Sequence, residues 1–257
     1  MSITERVSIA WVCAVSFQLV HLLTPVSQLR PTEDPSHSPE YFPATPSDRA
    51  STLVLTAHSK RFTDLRVIQE PDSPAGSLDW GFTGHSVGTP GHGVWTHDVD
   101  SRTAHPEDER PDEGQTSPHP DMEGVSVERG EMWYPVTGAI NAYEELWKDV
   151  EVMEVSGEGG GKRVSVVLEV GLDGVGEAKG AVVRVGQFCQ GILRVGEEIT
   201  AERWSWEDGA GEWTRTAGVG GGRLPCDATW TKLESVREGD TVECEGLVWT
   251  VKEVKFW

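Results

Sequence analysis

The sequence predicts an all-β, antiparallel protein of two domains, and three observations carry that prediction. Eleven Trp stand beside only three Tyr, with abundant Val and Thr and 29 Gly, a mix that suits pleated, half-buried strands and tight turns. Short alternating runs recur at steady intervals between Gly-, Pro- and Ser-rich turns, as in a sandwich or closed barrel. A length of 257 residues favours two domains of ordinary size over one large core. We place the boundary near Asn141, giving domains 1–141 and 142–257.

Glu5 to Trp11 alternates, with Val7, Ile9 and Trp11 on one face and Arg6, Ser8 and Ala10 on the other, the pattern of a half-buried strand. Ile9 to Leu23 is an apolar run of signal-peptide length, too short to span a bilayer. The preceding MSITER sets Glu5 beside Arg6, and no small-x-small cleavage site follows before Pro25. The expectation is therefore an intracellular protein. Between Pro25 and Ser51 the chain turns rich in Pro, Ser and acids, a composition that offsets little ordering entropy, and about 12–50 is expected to be disordered or inserted. Ser51 to Ala57 and Arg61 to Ile68 flank a polar HSK turn and predict a hairpin. Ser77 to His85 and Gly93 to Asp100 follow as strands, each holding a Trp. The segment 104–124 is acidic and Pro-rich and reads as a second solvated insert, and Val125 to Tyr134 as two short strands. Asn141 to Lys148 contains a possible helical turn, AYEELW.

In the second half, Val164, Val166, Leu168 and Val170 share one face and Ser165, Val167 and Glu169 the other. Further strands are expected at Ala181 to Phe188, Ile192 to Val195, Glu198 to Trp206, Glu212 to Ala217, Thr241 to Cys244 and Leu247 to Phe256.

Forty-two acidic residues against 22 basic ones give a formal charge of −20. A nucleic-acid binder needs a basic stripe and an anionic membrane would repel this surface, so neither is expected as a partner. The four cysteines form no CxxC pair and are read as reduced. GEGGGK at Gly157 to Lys162 has the wrong glycine spacing for a phosphate loop and precedes a strand. His85, His92, His97 and His105 match no zinc spacing and are read as solvated turn residues. No nucleophile with a base declares itself, so no enzyme, metal or cofactor is expected. Arginines within strands are more informative: Arg184 lies between Val183 and Val185, and Arg203 precedes Trp204. Turned inward, either would receive a small apolar carboxylate bidentately, with Gln187, Trp204 and Trp206 completing a candidate pocket. The bland alternative pairs these arginines with acids and uses the tryptophans as core.

The motifs RFTDLR (Arg61 to Arg66), SLDWGFTG (Ser77 to Gly84), THDVDSRT (Thr96 to Thr103), YEELWKDVEV (Tyr143 to Val152), VVRVGQFCQGILRVGEEITAERW (Val182 to Trp204) and LPC (Leu224 to Cys226) resemble the fungal Hri family. That resemblance implies two lipocalin-like (calycin-type) β-barrels in tandem and a casein-kinase-1-type protein kinase as partner. It also implies a cytoplasmic location, with the nucleus as a second site, and no catalytic residues to transfer. Hydroxyls that follow an acid by three residues, Ser101, Thr116 and Ser126, become candidate phosphosites for such a kinase.

One stretch departs from the family pattern: about Val12 to Pro43 stands as an insertion between ERVSIAW and STLVLTA. Val12-Cys13 can be encoded by a fungal splice-donor sequence, so we expect a retained intron. Transcript reads should join Trp11 to a codon near Ala44; uniform read coverage with a peptide from the stretch would refute this.

Overall fold

The computed structural model describes residues 1–11, 49–69, 77–110, 112–134, 138–174, 176–231 and 233–257. The expected insert and intron at 12–48 and Cys13 lie outside the described residues. The described chain is all-β apart from short 3₁₀ turns. Nine strands form the first sheet: β1 (Ser2–Trp11), β2 (Ala50–Thr56), β3 (Arg61–Ile68), β4 (Leu78–His85), β5 (His92–Trp95), β6 (Val99–Asp100), β7 (Asp112–Pro118), β8 (Val125–Tyr134) and β9 (Ala139–Val150). Their order is β5-β7-β8-β9-β1-β2-β3-β4-β6, all antiparallel. Beyond β4 the chain meets β5 through a Ser86–Trp95 bridge, with Val87 N–H donating to Val94 O at 2.9 Å and Thr96 N–H to His85 O at 3.0 Å. The sheet therefore curls until its two ends touch.

The second sheet holds β10 (Val164–Val170), β11 (Ala178–Val185), β12 (Phe188–Val195), β13 (Glu198–Glu207), β14 (Glu212–Val219), β15 (Thr241–Cys244) and β16 (Leu247–Phe256), in the order β14-β13-β12-β11-β10-β16-β15. Gly186, with φ at 54°, turns the chain between β11 and β12, so the single run expected over Ala181 to Phe188 is split. The 3₁₀ turn Pro225–Thr229 lies against the concave face and buries Pro225, Cys226 and Thr229.

The two sheets meet back to back. Leu53, Leu55 and Ala57 of the first pack with Val167, Val183 and Val185 of the second, and Leu65, Val67 and Val99 with Ile192 and Ala201. β3 is consequently buried on both faces. Polar bridges also cross this seam. Arg203 donates to Gln190 Oε1 at 2.6 Å, Ser51 Oγ at 3.0 Å and Leu65 O at 2.5 Å, while Gln190 Nε2 reaches Leu53 O at 2.9 Å and Thr63 O at 3.1 Å. Glu253 accepts from the N–H groups of His58 and Ser59 in the β2–β3 turn, at 3.1 and 2.5 Å, and from the Ser165 hydroxyl. Arg61 binds Glu169 across the seam at 2.7 Å, and Asp98 within its own sheet.

Four expectations are corrected. β9 runs through Tyr143 and Glu145 to Val150 inside the first sheet, so AYEELW is strand and the passage to the second sheet follows Val150 rather than Asn141. The 104–124 segment contains β7, paired with both β5 and β8, in place of a solvated insert. Val125 to Tyr134 is one continuous strand, paired throughout with β9. In β1 the inward residues are Arg6, Ser8 and Ala10, and Val7 is the exposed one. One cause underlies the first, second and fourth: the concave face of this sheet is polar, so inward positions carry charge and the apolar period reads faintly or inverted.

The Arg203 bridge carries a stability prediction. Arg203→Ala leaves the Gln190 and Leu65 oxygens buried without their donor, and should lower the unfolding free energy by about 3 kcal/mol, read as an earlier urea midpoint. An unchanged midpoint would show that the Arg203 bridge contributes nothing to holding the seam.

Candidate ligand cavity

Strand alternation decides what faces the inside of the first sheet. Thr4, Val54, Asp64 and Phe82 are neighbours along one ladder, and Glu145, Glu128 and Thr116 along another. All seven line a cavity of about 300 Å³. Phe62, Phe82, Trp95, Trp147 and Met132 supply its apolar wall, with Met1 and Lys60 also lining it.

Beside this wall lies a buried ionic network. Arg66 binds Asp64 at 3.0 Å and Glu145 at 3.2 Å, and Arg6 binds the same Glu145 oxygen at 2.6 Å. The Arg66 guanidinium stands 4.7 Å over the Trp80 ring and 5.6 Å from Phe82, where cation–π attraction adds to the ion pairs. His97 stacks on Phe82 with centroids 4.2 Å apart. Its Nδ1 lies 2.9 Å from Asp100 and its Nε2 3.5 Å from Asp112. Burial pulls its pKa down, but those two carboxylates outweigh it and hold the ring at about 9. His97 is therefore a structural cation rather than the solvated turn residue expected.

Glu128 differs from its neighbours. It is 6 % exposed, and its Oε1 accepts from the Tyr143 hydroxyl at 2.7 Å. Among the described residues no Lys, Arg or His pairs with it. Burial, reinforced by the charges of Glu145 and Asp112, pushes its carboxyl up to about 8. Burial likewise raises Asp64 above the usual carboxylate range, against the pull of Arg66. Asp64 Oδ1 and Trp147 Nε1 are buried polar atoms without a hydrogen-bond partner among the described residues.

The inside of the second sheet is filled. Arg184 does point inward, but Glu158 of the same chain already meets it at 2.7 Å. The guanidinium also donates to Gly186 O at 3.0 Å and Thr229 O at 2.8 Å, and lies 4.7 Å over Trp213. Trp213 stacks on Trp230 at 4.5 Å, and Trp204 packs on Trp230 at 5.5 Å. The other residues of the sequence-derived pocket are elsewhere. Arg203 faces the opposite side of the sheet, into the seam. Gln187 lies between β11 and β12 and bonds Met153 N and Glu151 O, both at 2.8 Å. Trp206 is half-buried and donates to Asp208 at 2.6 Å. The structure thus does not bring the five together.

The candidate phosphosites are also placed. Ser101 accepts from Gly81 N–H at 2.9 Å, Thr116 sits in β7 and Ser126 in β8, both of the latter lining the cavity. Asp64, Arg66, Glu128, Glu145 and His97 were missed from sequence. Their signal was present: Phe62, Asp64 and Arg66 alternate with Arg61, Thr63 and Leu65, a strand with side chains of mixed polarity on both faces.

The pKa shifts set the sign of a pH dependence. Glu128 binds its proton more tightly folded than unfolded, so its contribution is full below 4.5 and lost as pH rises through about 8. His97 contributes fully below 6.5 and loses that contribution as pH rises through about 9. The Tm should fall by about 5 °C or more between pH 6 and 9. Glu128→Gln should flatten the lower part of that slope and His97→Gln the upper; a slope unchanged in both variants would refute the assignment.

Comparison with known proteins agrees with the fold. The chain is similar over 99 % of its length to 98 % of a crystallised, uncharacterised protein of Saccharomyces cerevisiae, YLR301w, at 15 % identity and a TM-score of 0.68. No curated protein sequence matches it significantly. The family model described as Protein HRI1 matches residues 37–253, most of the chain, and the chain therefore belongs to the HRI1 family.

Proposed function

We propose that the chain is a non-enzymatic binding protein built from two lipocalin-like barrels, that the first barrel takes a small ligand, and that the pair works in the cytoplasm with a casein-kinase-1-type protein kinase. The contrast between the two interiors carries the ligand reading. The first encloses about 300 Å³, at the lower end of volumes that accept small molecules. The second is occupied by Arg184, Glu158 and stacked tryptophans. The curvature of the nine-stranded sheet suits one small ligand. The kinase partner is what the resemblance of motifs such as RFTDLR and SLDWGFTG to the fungal Hri family implies, and a charge of −20 would suit a basic docking surface. Against catalysis, the carboxylates beside Glu128 inside the first sheet, Asp64, Glu145, Asp100 and Asp112, are engaged by Arg6, Arg66 and His97.

Native mass spectrometry of the protein gently purified from its own cells tests the ligand reading. We expect an adduct of a few hundred daltons that Val54→Phe, which fills the cavity, abolishes. A bare mass would leave kinase binding as the sole function.

A further inference from the structure

Among the described residues, one carboxyl inside the first sheet, that of Glu128, has no ion-pair partner. Asp64, Asp100, Asp112, Glu128 and Glu145 face Arg6, Arg66 and His97, and each of those cations is held by a carboxylate other than Glu128. The Glu128 carboxyl is left with a phenol for partner, and Asp64 keeps one buried acceptor free among the described residues. Both residues line the cavity, as do Phe62, Phe82 and Trp95. Aromatic faces attract cations, and an unpaired buried carboxylate is unfavourable until a cation or a proton reaches it.

We propose that this cavity binds an organic ammonium, whose N–H groups donate to Glu128 and to Asp64 Oδ1 while its apolar body lies against Phe62, Phe82 and Trp95. The inference rests on the first barrel being the ligand barrel. Binding is an exchange of cations: the ammonium enters with its charge, the Glu128 carboxylic acid becomes a carboxylate, and its proton leaves to solvent. Glu145, Asp112, Arg66 and Tyr143 face Glu128. Affinity therefore rises with pH until Glu128 is ionised without the ligand, and falls only where the amine itself loses its proton near pH 10. Lys60 and the Met1 amine also line the cavity, and these would favour an anion instead; the test includes one.

Titration calorimetry of the full chain with phenethylammonium, hexylammonium, hexanol and hexanoate, repeated in buffers of different ionisation enthalpy, reads both affinity and proton release. The expected result is a Kd of about 0.1 mM for the two amines, with about one proton released at pH 7 and shifts of the Trp95 and Trp147 indole N–H resonances. Glu128→Gln mimics the protonated acid in shape, and its thermal unfolding checks that it folds. It should weaken amine binding about tenfold or more and abolish the proton release. Unchanged affinity in Glu128→Gln would overturn the proposal. Hexanoate or hexanol binding with the same indole shifts, in the absence of amine binding, would overturn it and leave the ligand barrel standing. No binding by any of the four would overturn the ammonium and count against the ligand barrel as well.

Discussion

The carbonyls of Leu53, Thr63 and Leu65 on the back of the first sheet are met by two side chains from the second, Gln190 and Arg203. Everything else in the molecule is arranged around that buried polar seam. The aliphatic contacts beside it, such as Leu55 with Val185 and Leu65 with Ile192, would tolerate small slides of one sheet over the other. Directional hydrogen bonds from a buried guanidinium do not, because a shift of one residue leaves several donors and acceptors unpaired in a dry environment. The seam thus holds one registration of the sheets and turns their concave faces away from each other.

The two concave faces carry different chemistry. Both use the same device, an arginine laid 4.7 Å over a tryptophan with a carboxylate at its edge: Arg66 on Trp80 with Asp64, and Arg184 on Trp213 with Glu158. In the second sheet the device is closed by Trp230 stacked on Trp213 and by the 3₁₀ turn that offers Thr229 O. In the first it is flanked by further acids, with Arg66 joining Asp64 to Glu145. Space remains where an aliphatic face would have collapsed.

Sequence reading followed this division closely. The β10 alternation was legible because Val166 and Leu168 each join an apolar cluster away from the seam and Val167 the cluster in the seam, and the β2–β3 hairpin because the HSK turn separates two β-rich runs. β7 and β9 were not, since DEGQTSP and YEELW place Asp112, Thr116, Tyr143, Glu145 and Trp147 inward and leave little apolar period to detect. The pocket joining Arg184 to Arg203 failed on parity. Arg184 pairs with Cys189 and Gln190 with Arg203, so the two arginines stand one position out of phase across neighbouring strands and must face opposite sides. That relation needs the strand register, which no single strand contains.

The glycines record where the missing bulk was needed. A Cβ on Gly114 would meet Glu128 Cγ at 2.8 Å, and one on Gly130 would meet the Tyr143 hydroxyl at 2.7 Å. These two glycines sit opposite each other on β7 and β8 and free the volume that lets the Glu128–Tyr143 pair lie flat against the wall. A strand interior ordinarily disfavours glycine by roughly 0.5–1 kcal/mol relative to alanine. Two on facing strands, beside a buried acid with no ion-pair partner among the described residues, give the Glu128–Tyr143 pair room that a Cβ at either position would take.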